Sequence, residues 1–234
     1  MTRRTPQLAT ATTEATMPEA VMLLLFDPRT GTIAGEGLPL MYTLGGAMLT
    51  ELALGGHLDV DDRHRSARAV GDGPADPLLR AAWHRLPNTP SGIRSLVVDI
   101  GTRSREGTLD RLVARGDIRR VPRRFLWLFP SHALEDGDTG TRDRLLAPVR
   151  AALLNDATPD GRSAALIALL SASNSLPALH ADIPWSGEVY TRGKEIERGD
   201  WGAKAASELI VASLVAQIVG TAFATTVATL ARPN

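Results

Sequence analysis

The sequence predicts a mainly α-helical, single-domain bundle with a buried apolar C-terminal helix and a protruding β-hairpin. Apolar residues recur at helical spacing through much of the chain, as in residues 44–54, 142–154 and 160–171. Between Leu109 and Pro130 a helical register stops at Gly116 and gives way to aromatic and β-branched residues, which is typical of a hairpin. A third observation is the run from Leu209 to Ala231, which contains no charged residue.

The N-terminal half begins with a segment that we expect to be disordered. Residues 1–18 are rich in threonine and alanine and lack the apolar core of a secretion signal, so they predict a leader, followed by one helical domain over residues 19–234. A short apolar run, Val21 to Phe26, leads to a turn at residues 27–31. A helix through Leu44 and Leu52 should end at Gly55 and Gly56, before a short strand at residues 57–60.

The middle of the chain predicts shorter elements. Charge, glycine and proline in residues 61–77 indicate an exposed loop or irregular hairpin. Short helices are expected at residues 78–86 and 93–100, on either side of a proline-containing break. A further helix then leads to Gly116, and the hairpin turn is expected at Pro122, Arg123 and Arg124, before a strand from Phe125 to Phe129.

The second half is predicted to be helical, at residues 142–154, at residues 160–171 and from about Val189. Leu209 to Ala231 is long enough for a membrane span. Its polar residues recur every four positions and form an edge that favours a helix buried in the bundle; they are Ser213, Gln217, Thr221, Thr225 and Thr229.

Composition and motifs argue against several function classes. The 26 basic and 26 acidic residues give zero net charge, so no global field attracts the chain to nucleic acid or to an anionic membrane. The common nucleophile-elbow, P-loop and zinc-protease signatures are missing, so we predict a protein without catalytic residues or cofactors. Metal-capable side chains in residues 57–64 match no known ligand spacing, so no metal site is predicted either; they are His57, Asp59, Asp61, Asp62 and His64.

Arginines are concentrated around the predicted hairpin: Arg111, Arg115, Arg119, Arg120, Arg123 and Arg124. A two-stranded ribbon cannot bury its own apolar side chains, so the hairpin must pack on something. It could lie on its own helical body, dock on a membrane or another subunit, or act as the wing of a DNA-binding module. Zero net charge and the lack of a basic recognition helix disfavour the DNA-binding alternative.

Several segments, in order and spacing, resemble the Golgi phosphoprotein 3 family and look like its bacterial branch. They are the apolar run with residues 27–31 (DPRTG), residues 44–58 (LGGAMLTELALGGHL), residues 112–116 (LVARG) with the hairpin, residues 160–170 with Arg162, Lys194-Glu195-Ile196, and Gly199-Asp200-Trp201. The resemblance implies a helical domain that binds phosphatidylinositol 4-phosphate, or another anionic phospholipid, on a flat basic face. It thereby implies a cytoplasmic protein that associates peripherally with membranes.

The resemblance also implies site residues. One head-group arginine of the family falls on Arg105, and Arg103 lies close to a second position, which is held here by Thr102. The family's tryptophan falls on Glu36 and another arginine on Gly45, so we expect weaker affinity for a polyanionic head group. The hairpin is expected to contact a membrane, or a second copy of the chain in a homo-oligomer, through Arg119, Arg120, Arg123, Arg124, Phe125 and Trp127.

Overall fold

A computed structural model of the protein describes residues 14–61, 65–125 and 129–199, together with Ile218. Within these residues there are seven α-helices and seven antiparallel β-strands, most of them short, so the mainly α fold class is confirmed. The helices are α1 (Met17–Leu25), α2 (Leu38–Leu54), α3 (Pro77–Trp83), α4 (Ile93–Ala114), α5 (Thr141–Leu154), α6 (Gly161–Ala172) and α7 (Gly187–Glu197). The paired strands are β1 (Phe26–Asp27) with β2 (Thr32–Ile33), β3 (Leu58–Asp61) with β4 (Ser66–Ala69) and β5 (Ser91–Gly92), and β6 (Ile118–Phe125) with β7 (Phe129–Asp136).

Helix α1 is buried along its whole length, and the sequence analysis did not predict a helix there. Glu19 reaches back to the start of the helix, where its carboxylate accepts hydrogen bonds from the backbone N–H of Thr16 (2.7 Å) and from the Thr16 hydroxyl (2.8 Å). All nine residues of the helix are buried. A helix that is buried on every side has no polar face, so its sequence shows no helical period. It begins at Met17, inside the predicted leader, whose residues 1–13 lie outside the described part of the chain.

Helices α2 and α4 cross at backbone contact, and this contact fixes which side of α4 faces outward. A Cβ atom added at Gly45 would lie 2.2 Å from the carbonyl oxygen of Val97, and one at Gly101 would lie 2.1 Å from that of Met41. Any side chain larger than hydrogen would therefore push the two helices apart. The opposite side of α4 is left at the surface.

The buried apolar side chains form two clusters, and α2 contributes to both. One cluster surrounds α1 and includes residues of α5, α6 and α7. The other lies between α2, α3 and α4 and includes Ile218, which is helical and fully buried. The rest of the predicted C-terminal helix lies outside the described residues. Within the described part of the chain, no helix has both the length and the apolar character that a bilayer span needs.

Helix α4 corrects the prediction of two separate helices. It runs without a break from Ile93 to Ala114, where the sequence reading placed a gap after Ile100. Gly101 lies inside the helix because the crossing with α2 leaves no room for a larger residue there. The hydroxyls of Ser104 and Thr108 donate to carbonyls one turn earlier, at 2.7 Å each, so these polar residues are accommodated inside the helix. As predicted, the helix ends before Gly116, which adopts a φ of 79°.

The hairpin exists where it was predicted, but its turn is displaced. Strand β6 continues through Pro122 to Phe125, and Pro122 pairs with His132, so the prediction of a turn at Pro122, Arg123 and Arg124 is wrong. Both strands of a two-stranded ribbon are edge strands, so a proline can turn its missing N–H outward. The predicted strand from Phe125 to Phe129 instead spans the end of β6, residues 126–128 and the start of β7. The hairpin was predicted to contact a membrane or a second copy of the chain partly through Arg123, Arg124, Phe125 and Trp127. The side chains of these four residues lie outside the part of the chain that the structure describes.

Candidate functional site

The outward side of α4 carries the residues that the sequence singled out. We call this surface the α4 outer face. Its exposed or half-buried residues are Arg94, Ser95, Val98, Asp99, Thr102, Arg103, Arg105 and Glu106. The inward side of the same helix is apolar and includes the buried residues Leu96, Val97, Ile100 and Leu109. The packing of the inward side against α2 and α3 therefore determines which cations reach solvent.

Arg105 is already occupied by carboxylates. Its Nε lies 3.1 and 3.0 Å from the two carboxylate oxygens of Glu36, and its Nη2 donates to Glu36 at 2.5 Å. The neighbouring Glu106 accepts a hydrogen bond from Nη1. The hydrogen bond to Glu36 is the main reason that the pKa of Arg105 is raised above its usual value. A planar guanidinium that binds a carboxylate in this way presents the geometry with which it would bind a phosphate.

The ion pairs continue from Arg105 to the base of the hairpin. Arg120 lies 3.4 Å from Glu106 and 2.7 Å from Asp110. Arg119 donates to the carbonyl of Asp136 at 3.0 Å and lies 3.4 Å from Glu135. Each of these described hairpin arginines thus has an acidic partner, and the base of the hairpin is closer to electrical neutrality than its arginine content suggests.

Arg103 differs from Arg105 although it lies only two positions earlier. Two helical steps separate their side chains by ~160° around the axis, so Arg103 and Arg105 lie on opposite flanks of the α4 outer face. Arg103 is exposed, and within the described part of the chain it donates no hydrogen bond and forms no ion pair. It borders a shallow depression of about 460 Å³ together with Arg94, Ser95, Val98, Asp99 and Thr102.

The acidic residue in this depression has its own partner. Asp99 receives hydrogen bonds from Arg85 at 2.7 Å (Nε) and 2.5 Å (Nη2), and these are the main reason that the pKa of Asp99 lies below its usual value. Arg103 also contributes to this lowering through its charge, without a hydrogen bond. Because Asp99 is paired with Arg85, the guanidinium of Arg103 remains available to an anion from outside.

Two of the clustered arginines point inward. Arg111 lies 2.9 Å from Glu19 and also forms an ion pair with Asp76, and Arg115 lies 3.3 Å from Glu19 and 3.0 Å from Asp117. The side chain of Glu19 is completely buried. These half-buried arginines therefore join α4 to α1 and to the start of α3, and their charge is used within the fold rather than offered on a docking face.

The metal-capable side chains of residues 57–64 lie only partly within the described part of the chain. No group of three or more metal-capable side chains occurs among the described residues. Asp59 is instead paired with Arg68 at 2.7 Å. Asp62 and His64 lie outside the description.

The arrangement can now be compared with known proteins. The sequence profile of the family Golgi phosphoprotein 3 (GPP34) matches residues 17–213, which is more than half of the chain. The chain belongs to the Golgi phosphoprotein 3 family. This membership is consistent with a non-enzymatic adaptor role. No protein with a curated description matches the chain.

The structure shows where the positions that the resemblance assigned to a head-group pocket lie. Arg105 is at the surface, and Glu36, at the tryptophan position, is the residue that binds it. Gly45 lies buried in the helix crossing, so this position cannot present an arginine to a ligand. Thr102 is exposed, and its hydroxyl donates to the carbonyl of Val98 at 2.6 Å. Of the residues carried over from the Golgi phosphoprotein 3 family, only Arg105 keeps a cationic side chain.

Sequence reasoning missed the division of this surface. It placed Arg103 and Arg105 together as head-group residues, whereas the described contacts connect only Arg105 to the hairpin, through Glu106 and Arg120. The helical period would have separated Arg103 from Arg105 if residues 93–114 had been read as one helix. The partnership with Glu36 joins positions 69 residues apart, and no local signal indicates it.

Proposed function

We propose that this protein is a non-enzymatic, peripheral membrane adaptor that binds the anionic head group of a phospholipid on the α4 outer face. Phosphatidylinositol 4-phosphate is the ligand that the family resemblance favours. The observation that carries the proposal is Arg103, an exposed guanidinium without a described partner on a face that is otherwise ion-paired. Arginine forks bind phosphate oxygens in pairs, which makes such a group a fitting anchor for a phosphorylated head group.

The surroundings of Arg103 suit a head group better than a metabolite. The depression beside it is shallow and open, and its polar residues are Arg94, Ser95, Asp99 and Thr102. Among the described residues that border this site, Asp99 is paired with Arg85, and Arg103 adds a positive charge that no described carboxylate binds. A shallow basic surface can approach the plane of a membrane, whereas small molecules usually bind in deeper, enclosed clefts.

Arg105 makes a second, weaker contact with the lipid in this proposal. Its carboxylate partners are about half exposed or more, so exchanging Glu36 for a lipid phosphate would cost little. The exchange would still require release of an existing pair, which Arg103 does not need. We therefore assign the first contact with the head group to Arg103, and a weaker, competed contact to Arg105.

Sedimentation with liposomes tests the proposal. We expect the wild-type chain to sediment with vesicles containing phosphatidylinositol 4-phosphate and to remain in solution with phosphatidylcholine alone. Binding should weaken as salt is added, since exposed charges are screened over ~8 Å at physiological ionic strength. Arg103→Gln should weaken binding about fivefold, the contribution of roughly 1 kcal/mol from one cation near an anionic surface.

The matched control is Arg150→Gln. Arg150 is an exposed arginine of α5 for which no ion pair is described, so its replacement changes net charge by the same amount away from α4. It should bind as the wild type does. Equal binding of the wild type to neutral and anionic vesicles, or no binding to either, would overturn the proposal. Equal losses in the two variants would show that net charge, and not the α4 outer face, is responsible.

A further inference from the structure

Arg103 also borders a second depression. This α3/α4 groove has a volume of about 430 Å³ and lies between α3 and α4, with α2 beneath it. Its floor is made of buried residues from three helices, Met48, Ala82 and Ile100. At its rim lie Ala81, His84 and Arg103. The volume falls within the roughly 300–1,000 Å³ that small-molecule sites occupy.

The groove and the shallow depression differ in chemistry and share one residue. The depression is bordered by polar side chains of α4, whereas the floor of the groove is apolar apart from Ser104, whose hydroxyl already donates to the carbonyl of Ile100. Arg103 borders both. A cation without a described partner therefore stands at the boundary between a polar surface and an apolar slot.

The boundary between the polar depression and the apolar groove fits a ligand that has an anionic group at one end and an apolar chain at the other. The phosphate of a phospholipid would lie at Arg103, and an apolar chain attached to it would follow the groove over Met48 and Ile100. Arg85 also borders the groove, but Asp99 neutralises it, so Arg103 supplies the local excess of positive charge. No described carboxylate borders the groove to oppose an anion there.

We propose that the α3/α4 groove receives one acyl chain of an anionic phospholipid whose phosphate is held by Arg103. The inference rests on the proposed function, since it gives the same lipid a second contact. It adds that the protein recognises the apolar part of the lipid and draws one chain partly out of the bilayer. Each methylene buried in the groove should strengthen binding by about fourfold.

Isothermal titration calorimetry without a bilayer tests this contact directly. The probes are dodecyl phosphate, kept below its micelle concentration, inorganic phosphate as a head group without a chain, and dodecyl maltoside as a chain without charge. We expect dodecyl phosphate to bind at least about tenfold more tightly than inorganic phosphate, because several methylenes are buried. It should also bind more tightly than dodecyl maltoside, because only the phosphate engages Arg103.

Ala81→Phe should fill the groove from its exposed rim without disturbing the core. It should weaken dodecyl phosphate binding about tenfold by excluding the chain, and leave inorganic phosphate binding unchanged. The control is Ala147→Phe, at an exposed alanine of α5. Circular dichroism spectra and unfolding curves of both variants should match those of the wild type.

The outcomes separate this inference from the proposed function. If dodecyl phosphate binds no better than inorganic phosphate, or if Ala81→Phe has no effect on it, the groove does not hold an acyl chain. That result would leave liposome binding through Arg103 intact. If dodecyl phosphate and dodecyl maltoside bind equally, Arg103 does not hold the phosphate and the inference is likewise overturned. A wild-type chain that fails to sediment with anionic vesicles would instead contradict the proposed function.

Discussion

The inner and outer sides of helix α4 show two uses of arginine in one element. On the inner side Arg111 and Arg115 meet the fully buried Glu19, and the helix touches α2 at Gly45 and Gly101. On the outer side Arg103 has no described partner, while Arg105 is held by surface carboxylates. The difference teaches that the number of arginines in a segment does not measure the charge it offers to a ligand. Partner carboxylates decide how much of that charge is available.

The largest effect is expected on the inner side, from Glu19→Ala. This change leaves Arg111 and Arg115 without a shared, buried partner and removes the acceptor for Thr16 at the start of α1. Breaking a buried ion pair from one side costs about 3–5 kcal/mol, so the free energy of unfolding in urea should fall by about that amount. A decrease below about 1 kcal/mol, within the range of exposed pairs, would show that the inner network does not hold α1 against α4.

The contact between α2 and α4 should be the next most sensitive feature. Gly45→Ala places a Cβ atom against the backbone of Val97 and should lower the free energy of unfolding by about 1–3 kcal/mol. Gly187→Ala is the matched control, since Gly187 starts α7 and a Cβ there would meet no atom within 4 Å. Chemical denaturation of both variants should separate them clearly. Equal stabilities would mean that the helices do not touch at this crossing.

Asp76 makes the connection between α3 and α4 depend on pH. Burial acts to raise the pKa of Asp76, but hydrogen bonds from Arg111 and from the backbone N–H groups of Leu79 and Leu78 outweigh it and lower the pKa below its usual value. A carboxylate with a lowered pKa in the folded state stabilises the fold above its unfolded value, near pH 4. This stabilisation is lost as the pH falls through the folded value.

Asp76→Asn therefore tests the inner side of α4 through the ion pair between Asp76 and Arg111. The amide keeps an acceptor for the start of α3 and cannot ionise, so the variant should be about 1–2 kcal/mol less stable than the wild type at pH 7. The difference should shrink as the pH falls from about 4, near the unfolded pKa, through the lower pKa of the folded state, where the wild-type carboxylate becomes protonated. Urea titrations of the wild type and the variant at several pH values measure this difference in the free energy of unfolding. A difference that stays constant with pH would contradict the lowered pKa.

The sequence predicted where helices and strands occur better than it predicted which residues they pair with or pack against. The end of α4 was predictable because Gly116 is a local signal, and so was the existence of a hairpin after it. The register of the hairpin was not, because a proline within an edge strand looks like a turn. Helix α1 was not predicted because it has no polar face, and α4 was predicted to end at Ile100, although it continues through Gly101 at the contact with α2.

The site was less predictable than the fold for a related reason. Arg103 and Arg105 could be selected from sequence as candidate anion ligands, and the family resemblance added Glu36 as a departure. Whether Glu36 binds Arg105 depends on how the loop before α2 packs on α4, and this is decided by the close approach of the two helices. The same approach leaves the groove over Met48 and Ile100, whose residues are ordinary core residues in the sequence.

The smallest expected effect comes from releasing Arg105 on the outer side. Glu36→Gln removes its carboxylate partner, so the variant should bind anionic vesicles about threefold more tightly, somewhat less than the full contribution of one cation because Glu106 remains. Glu188→Gln, at an exposed residue of α7, changes the net charge equally and should have no effect. Equal gains in both variants would mean that Glu36 does not compete with the lipid.

The central claim is that Arg103, and not Arg105, makes the first contact with the anionic head group. Sedimentation of Arg103→Gln and Arg105→Gln with vesicles containing phosphatidylinositol 4-phosphate, at one salt concentration, tests it most directly, because the two variants have the same net charge. The account predicts a loss of about fivefold for Arg103→Gln and a clearly smaller loss for Arg105→Gln. An equal loss, or a larger one for Arg105→Gln, would contradict it.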